Sequence, residues 1–226
     1  MNVIYNFNVK TFVIFIKLIM IKLNLGDSRK VPKGWIFIDY SLASRIASIP
    51  ILGWIFKHLK IFNNERPSNL FIHDLTKPLP WPDNSVDIIY SSHCIEHLNK
   101  DDGFNLLKEC KRVLKPGGII RIVVPDFRYI VDNYLEGKIN SADFIEALDV
   151  LNYDGSSFIK KFYSFYFSYP HKAMYDHDTL SDIFRSIDLT PTIKRYNDSK
   201  IPDIHKVEIR HRCNNAVILE AIKSPI

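Results

Sequence analysis

Three histidines are the side chains in this sequence best able to do chemistry. His93 and His97 lie in the segment His93-Cys94-Ile95-Glu96-His97, and His171 follows a run of aromatic residues. Imidazole is the natural proton acceptor near neutral pH, so each is a candidate catalytic base, with a structural role as the alternative. The segment also spells H-x-x-E-H, the pattern in which inverted zinc peptidases place two histidines on one helix against one metal ion. No convincing third ligand follows downstream, so we expect no metal site and keep this function as an alternative.

The segment Leu79–Pro125 contains the elements that must position two of these histidines. Apolar runs at Val86–Tyr90 and Ile119–Val124 are typical of strands buried on both faces. The residues between them predict a helix that opens at Asp101 and Asp102 and stops at Pro-Gly-Gly. Its apolar side chains are Phe104, Leu107, Cys110 and Leu114. Strand, helix and strand together predict a right-handed βαβ unit, and ligands of such sheets bind beyond the carboxyl ends of the strands.

Further elements follow from the hydrophobic pattern of the flanking segments. We expect strands at Ile21–Leu25, Trp35–Asp39, Leu70–Ile72, Thr190–Tyr196 and Ala216–Ile222. We expect helices at Phe127–Gly137, Ser141–Leu151 and Asp176–Leu189, and a helical segment at Leu42–Lys60 that Pro50 and Gly53 divide. The fold class is therefore α/β, a Rossmann-like sheet of seven mostly parallel strands with helices on both faces.

Several motifs of the central segment resemble one family. They are the proline-rich turn Leu-Pro-Trp-Pro-Asp, the strand Asp87-Ile88-Ile89, the triplet Glu96-His97-Leu98 and the sequence Leu114-Lys115-Pro116-Gly117-Gly118. The chain resembles the class I S-adenosylmethionine-dependent methyltransferases of the small-molecule, methyltransferase-domain type. The resemblance implies an enzyme with a seven-stranded sheet whose last two strands form an antiparallel hairpin at the edge. It also implies S-adenosylmethionine as the cofactor.

The resemblance implies a role for residues at the ends of successive strands. Gly26 gives the backbone room beside the methionine part of the cofactor, and Asp39 accepts the ribose hydroxyls. Asp74 and Leu75 hold the adenine amino group and ring face. The other expected cofactor contacts are Asp27, Ser91 and Ser92. Acids at strand ends also occur as plain helix caps, which is the structural alternative.

The loop after the first strand departs from the family pattern. The family usually shows Gly-x-Gly, whereas this chain has Gly26-Asp27-Ser28, and Asn24 replaces the customary acid. A side chain at Ser28 lies where the backbone should approach the cofactor. We therefore expect weakened cofactor binding, and the rival hypothesis is a catalytically lost methyltransferase fold that serves as a binding or scaffold protein.

The chain length of 226 residues fits one domain with a cap. We expect an N-terminal extension at 1–19, the methyltransferase domain at 20–226 and a cap insertion at about 127–175. Residues 1–19 are too interrupted by polar residues to span a membrane, and we interpret them as an extension or a peripheral amphipathic helix. The aromatic run Phe158–Tyr169 within the cap is expected to shape the acceptor pocket.

Composition limits the classes of partner. The net charge of +5 is scattered without a Lys/Arg tract, so we expect no nucleic acid, but a phosphorylated or nucleotide-linked substrate or anionic lipid headgroups remain open. Three widely spaced cysteines favour no disulfide framework and a cytoplasmic location. The expected function is methyl transfer to a small molecule, and the expected acceptor is a hydroxyl of a sugar or cell-envelope intermediate in polysaccharide biosynthesis. Proteins that share the helix start Tyr-Asp-His-Asp-Thr-Leu suggest that acceptor. The oligomeric state is left open.

Overall fold

A seven-stranded sheet forms the centre of the computed structural model, which describes residues 20–26, 32–42, 44, 45, 49, 69–150 and 169–225. The strands are β1 (Lys22–Leu25), β2 (Trp35–Asp39), β3 (Leu70–Ile72), β4 (Val86–Ser92), β5 (Leu114–Pro125), β6 (Pro191–Ile193) and β7 (Ala216–Ile222). Their order in the sheet is β3-β2-β1-β4-β5-β7-β6. The predicted α/β fold class and strand count are therefore confirmed.

The strand directions place five carboxyl ends at one edge. Strands β1 to β5 pair in parallel, whereas β7 pairs antiparallel with both β5 and β6. The order reverses between β1 and β4, where neighbouring connections leave in opposite directions and open a crevice. The predicted antiparallel hairpin at the sheet edge is also confirmed.

Four α-helices are defined within the described residues. They are α1 (Lys100–Val113), α2 (Phe127–Leu135), α3 (Ser141–Leu148) and α4 (His177–Ser186). Each begins at a polar residue whose side chain accepts a hydrogen bond from the first turn: Asn99, Asp126, Asn140 and Asp176. Helices α1 and α4 bury an apolar stripe, whereas α3 buries no residue.

Two apolar layers cover the two faces of the sheet. The larger contains α1 and α4 residues such as Leu107 and Phe184 against Leu23 and Ile122. The smaller packs Trp35 with Tyr90 and with residues of the connection before β7, including Ile201, Ile204 and Val207. Both faces of the parallel strands β1, β2 and β4 are mostly buried, which explains why their sequences read as continuous apolar runs.

All four helices end earlier than predicted, and α2 and α4 stop at Leu135 and Ser186 rather than at Gly137 and Leu189. Leu114 has an extended backbone and starts β5, so it does not lie on the helix face with Phe104 and Cys110. Its side chain is still buried, because the strand leads directly into the same core. Helix α3 ends at Leu148, since Asp149 adopts a left-handed conformation that stops it, whereas the prediction extended to residue 151.

Strand β6 is shorter than the predicted Thr190–Tyr196. It covers Pro191–Ile193, and Asn197 at φ 59° turns the chain away soon afterwards. The carbonyl of Arg195 then accepts a hydrogen bond from the buried Arg121 guanidinium rather than from a strand neighbour. Tertiary contact therefore overrides the local strand pattern.

The predicted cap insertion returns to the point where it leaves the sheet. Asp126 forms a β-bridge with Tyr175, and the Phe127 amide donates to the Tyr175 carbonyl at 2.9 Å. The predictions for 1–19, for most of Leu42–Lys60 and for residues 158–168 of the aromatic run lie outside the described residues. Among the helices that are described, none combines the length and apolar character needed to cross a membrane.

Candidate functional site

A cavity of about 510 Å³ lies beyond the carboxyl ends of β1 to β4. Its size falls in the range of small-molecule and cofactor sites. The wall is formed by Gly26, Ile38, Asp39, Tyr40, Ser41, Asp74, Leu75, Thr76, His93, Cys94, His97, Leu98, Tyr169, Lys172 and Arg212. Six residues predicted from the sequence therefore share one cavity: Gly26, Asp39, Asp74, Leu75, His93 and His97.

Gly26 is required at its position for two physical reasons. Its φ of 85° lies in the left-handed region, which side chains other than glycine rarely adopt. A Cβ atom there would lie 2.6 Å from the Cβ and Sγ atoms of Cys94. The glycine thus lets the end of β1 approach the β4 loop closely and keeps the cavity open between them.

Asp39 is held by local hydrogen bonds at the end of β2. Its Oδ1 accepts from the Ser41 amide at 2.9 Å, and its Oδ2 accepts from the hydroxyls of Ser41 and Ser44. A carboxylate offers about four acceptor positions, so three are used by the described residues and one is left for a ligand hydroxyl. In this conformation Asp39 can take one ribose hydroxyl, and taking two requires a serine hydroxyl to turn away.

Asp74 presents one carboxylate oxygen for a ligand. Its Oδ1 accepts from the amide and hydroxyl of Thr76 at 3.0 and 2.8 Å. Burial acts to raise the pKa of Asp74, but the Thr76 hydrogen bonds and the charge of Lys77 leave that pKa below its ordinary value. The side chain is therefore an anionic acceptor near neutral pH, next to the half-buried apolar surface of Leu75.

The three predicted histidines surround one buried carboxylate, that of Glu96. His93 Nδ1 lies 3.2 Å from Glu96 Oε1, and the rings of His97 and His171 lie 5.0 Å apart. Burial lowers the pKa of His97, the charge of Glu96 opposes this change and His171 adds to it. His97 is therefore neutral at pH 7. His93 and His97 line the cavity, whereas His171 contacts it through His97.

The H-x-x-E-H segment does not form the α-helix that the zinc-peptidase pattern requires. His93 adopts a φ of 50°, and only Ile95–His97 forms one turn of 3-10 helix. His93 and His97 are therefore not presented side by side on one helical face. Instead the ring of His93 turns toward Arg212, with Nε2 2.9 Å from the carbonyl oxygen of that residue.

Ser91 and Ser92 were also predicted to contact the cofactor. Ser91 and Ser92 are buried in β4, are not part of the cavity wall, and have hydroxyls without a hydrogen-bond partner in the described chain. Their assignment to the cofactor stays a prediction. Asp27 lies outside the described residues.

Two cations of the cavity were missed by sequence reasoning. Lys172 is exposed, and Arg212 donates to the Ser92 carbonyl at 3.0 Å across the end of β4. The only pattern that could have indicated Lys172 is its position next to His171. Arg212 lies far along the chain in an irregular connection, and only the fold brings it to β4.

Comparison with known proteins finds similarity to methyltransferases in one part of the chain. The family described as "Methyltransferase domain" matches residues 56–122, which include β4, α1 and most of β5. A probable S-adenosylmethionine-dependent methyltransferase of Mycolicibacterium smegmatis is 41% identical over 54 residues. The chain is therefore similar to S-adenosylmethionine-dependent methyltransferases over part of its length. The alignment with the Mycolicibacterium smegmatis protein covers 24% of this chain and only 20% of the length of that relative.

Solved methyltransferases also align with the chain at low sequence identity. One is an S-adenosylmethionine-dependent methyltransferase from Archaeoglobus fulgidus, with a TM-score of 0.49, 15% identity, and coverage of 95% of this chain and 91% of that one. Another is a putative methyltransferase in complex with the Trm112 activator of Haloferax volcanii, with a TM-score of 0.49, 15% identity, and coverage of 92% and 83%.

The cavity fits the methyl donor of the methyltransferase family, S-adenosylmethionine. Acceptor atoms on Asp39 and Asp74 lie on the same wall as the close backbone approach at Gly26. Carboxylate acceptors of this kind can take a ribose hydroxyl and an adenine amino group. The histidines lie on the same cavity, where an acceptor can approach.

Proposed function

We propose that this protein transfers a methyl group from S-adenosylmethionine to a hydroxyl of a small molecule. The observation that carries the proposal is that Gly26, Asp39 and Asp74 share one cavity with His93 and His97. A cofactor site and a set of bases are thereby joined at the carboxyl ends of parallel strands, the place where ligands of such sheets bind. The cofactor supplies a methyl group already activated on a sulfonium.

The residues of the cavity have distinct tasks toward the cofactor. The last acceptor position of the Asp39 carboxylate takes a ribose hydroxyl, and the second oxygen of Asp74 takes the adenine amino group. Leu75 supplies an apolar surface for the adenine ring. Arg212 and Lys172 place positive charge at the cavity, which suits the cofactor carboxylate or an anionic acceptor.

The transfer itself is a displacement at carbon. The acceptor oxygen forms a bond to the methyl carbon, the carbon–sulfur bond breaks with its electron pair going to sulfur, and the hydroxyl proton leaves. The protein therefore contributes proximity and a route for that proton. Two histidines of the cluster, His93 and His97, line the cavity, and His97, which is neutral at pH 7, is the side chain that we expect to receive this proton.

The acceptor class is proposed from the sequence together with the cavity charge. The helix start Tyr175-Asp176-His177-Asp178-Thr179-Leu180 resembles proteins of surface-polysaccharide pathways. A sugar hydroxyl on a phosphorylated or nucleotide-linked precursor would place its anionic part near Lys172 and Arg212. We therefore name a sugar or cell-envelope intermediate as the substrate class.

The rival function is a methyltransferase fold that binds without catalysis. One observation favours it, because three of the four acceptor positions of Asp39 are used by Ser41 and Ser44. An aspartate that only holds the local turn would look the same. Asp74 lines the same cavity as Asp39, and this favours the enzyme, since a scaffold has no need of a second carboxylate acceptor there.

The test of the function is methyl transfer with labelled cofactor. Purified full-length protein is incubated with S-adenosylmethionine carrying a labelled methyl group and with sugar nucleotides and lipid-linked glycan precursors. We expect label in one precursor class, and less than a tenth of that rate for Asp74→Ala. Absence of transfer to every acceptor, together with retained cofactor binding, would favour the scaffold.

A further inference from the structure

The buried carboxylate of Glu96 lacks the partners that its burial demands. Glu96 is 1% exposed, and neither side-chain oxygen accepts a hydrogen bond from the described residues. Its closest ionisable neighbour is His93, with Nδ1 3.2 Å from Oε1. His93 Nε2 lies 2.9 Å from the Arg212 carbonyl, so His93 can pair with Glu96 through Nδ1 only as the imidazolium, and this single contact still leaves Oε2 without a partner among the described residues. A buried carboxylate in this position requires a cation.

Two further donor groups converge on the same point. Glu96, His97 and His171 each offer one ligand atom, and these atoms all lie within 4.8 Å of one another. The backbone fixes this arrangement, because the amides of Lys172 and Ala173 donate to the Glu96 carbonyl at 2.7 and 3.1 Å. His171 is thereby held beside Glu96 although it comes from the end of the predicted cap.

The hydrogen bonds of both imidazoles leave a lone pair for a ligand. His171 Nδ1 lies 2.8 Å from the Leu148 carbonyl, and His97 Nδ1 lies 3.5 Å from the Pro170 carbonyl. A carbonyl oxygen only accepts, so each Nδ1 carries the proton and each Nε2 keeps its lone pair. This is how second-shell carbonyls orient histidines that bind metals.

Other ionisable groups near the cluster do not satisfy Glu96. Asp149 Oδ2 lies 3.9 Å from His171 Nε2 and is 59% exposed, so it adds negative charge at the outer side. Neither oxygen of Glu96 accepts a hydrogen bond from the Tyr175 hydroxyl. The surroundings of the cluster therefore favour a bound cation.

We propose that Glu96, His97 and His171 bind one divalent transition-metal ion of the zinc class. Two imidazoles and one carboxylate are a ligand set that such ions accept, and three protein ligands leave a coordination position open. His97 forms part of the cavity wall, so an ion held by its imidazole would lie beside the cavity. Metal bonds of about 2.1 Å require the donors to draw together to roughly 3.4 Å from their present separations of up to 4.8 Å.

The use of this ion in catalysis rests on the proposed function, whereas its binding does not. A cation at the open position lowers the pKa of an acceptor hydroxyl, as zinc does for water. The hydroxyl proton then passes to solvent, and the oxygen attacks the methyl carbon as described above. His97 and His171 would in that case act as ligands rather than as bases.

The experiment uses Co²⁺ as a spectroscopic probe of the full-length protein after treatment with a chelator. We expect saturable visible absorption at one equivalent of Co²⁺, reversed by Zn²⁺. His97→Ala, His171→Ala and Glu96→Gln are each expected to weaken Co²⁺ binding more than tenfold. The matched control is His93→Ala, which removes a histidine whose Nδ1 lies 3.2 Å from Glu96 Oε1 but which is outside the ligand set, and it should bind Co²⁺ as the wild type does.

Thermal unfolding of each variant without metal separates lost ligands from lost folding. No saturable absorption in the wild type, unchanged Co²⁺ binding by a folded Glu96→Gln, or an equal loss in His93→Ala overturns the proposal. Calorimetric titration of the chelator-treated protein with S-adenosylhomocysteine reports the cofactor site independently. Retained cofactor binding without metal binding removes only the metal site, and the reverse result removes only the proposed cofactor function.

Discussion

Gly26 is the residue on which the geometry of the cavity depends most directly. Its left-handed backbone and its approach to Cys94 exclude any side chain, and both requirements arise where the end of β1 meets the segment that follows β4. The sequence indicates the glycine as the end of a strand, but it cannot indicate that the close neighbour is Cys94. Contacts between residues distant along the chain follow only from the sheet order.

We predict that Gly26→Ala lowers the free energy of unfolding by about 2 to 5 kcal/mol. About 1 to 2 kcal/mol comes from placing alanine in a left-handed conformation, and the remainder from the clash with Cys94. Urea unfolding at equilibrium measures the change.

The matched control for Gly26→Ala is Gly137→Ala. Gly137 has a φ of 71°, but nothing lies within 4 Å of an added Cβ, so this variant carries the backbone strain without the clash. The loss of unfolded-state entropy is the same in both variants and cancels. Equal destabilisation of the two variants would contradict the proposed close contact at the cavity.

The histidine cluster shows the same limit of sequence reasoning at the scale of single residues. All three histidines were identified from the sequence, because imidazole chemistry is evident from residue type. Their common partner, Glu96, was assigned only to orienting the loop and lining the pocket. The absence of a third metal ligand was inferred along the chain, whereas the fold places His171 beside His97. The sequence shows which residue types are present, but it does not show that Glu96, His97 and His171 come together in space.

Helix α4 illustrates how local sequence determines an element. Its start at Asp176 and its stripe of Leu180, Ile183 and Phe184 were predicted from capping and periodicity, and the helix forms where expected. Element ends were less predictable. Leu114 continues the apolar pattern of α1 but lies in β5, because the sheet ladder with Val86 competes successfully for it.

We predict that Asp176→Ala lowers the free energy of unfolding by about 1 kcal/mol at pH 7. The Asp176 carboxylate accepts from the Thr179 amide at 2.8 Å at the start of α4. Hydrogen bonds from Thr179 lower the pKa of Asp176 in the folded protein. The stabilisation is therefore fully present above the unfolded-state pKa of about 3.9, and it is lost as the pH falls through the lower folded-state pKa.

Urea unfolding of the wild type and Asp176→Ala at pH 7 and near pH 2 measures this difference. The comparison variant is Asp178→Asn, which removes a charge from the first turn of the same helix without removing a cap. A difference between wild type and Asp176→Ala that stays constant over this pH range would contradict the capping role.

At the scale of the whole molecule, a buried ion network joins β5 and β7 to the connection between β6 and β7. Arg121 is fully buried and donates to Glu208 at 2.8 Å, to Glu220 at 3.2 Å, and to the carbonyls of Arg195 and Asp198. The sequence places Arg121 inside the apolar run of β5, which gives no hint of its partners. Burial of an arginine is tolerated only when such partners exist, and these lie 74 to 99 residues away along the chain.

The whole sheet also decides which predicted residues form one site. Strand order brings the ends of β1, β2, β3 and β4 to one edge, so residues named separately from the sequence share a cavity. The cations Lys172 and Arg212 join them from irregular segments that carry no sequence pattern. The family fold was thus predictable from the motifs of β4 to β5, whereas the charge balance of the cavity required the structure.

The most direct test of the account is calorimetric titration with S-adenosylmethionine. Wild-type protein is expected to bind weakly but measurably, and Ser28→Gly, which restores the family glycine, is expected to tighten Kd by roughly ten- to a hundredfold. Asp39→Ala should give no heat of binding. Asp203→Ala is the control, because this acid pairs with Lys22 and Trp35 at the opposite ends of β1 and β2 and should leave Kd unchanged. The absence of heat from both wild type and Ser28→Gly, or wild-type affinity in Asp39→Ala, would contradict a cofactor site in this cavity.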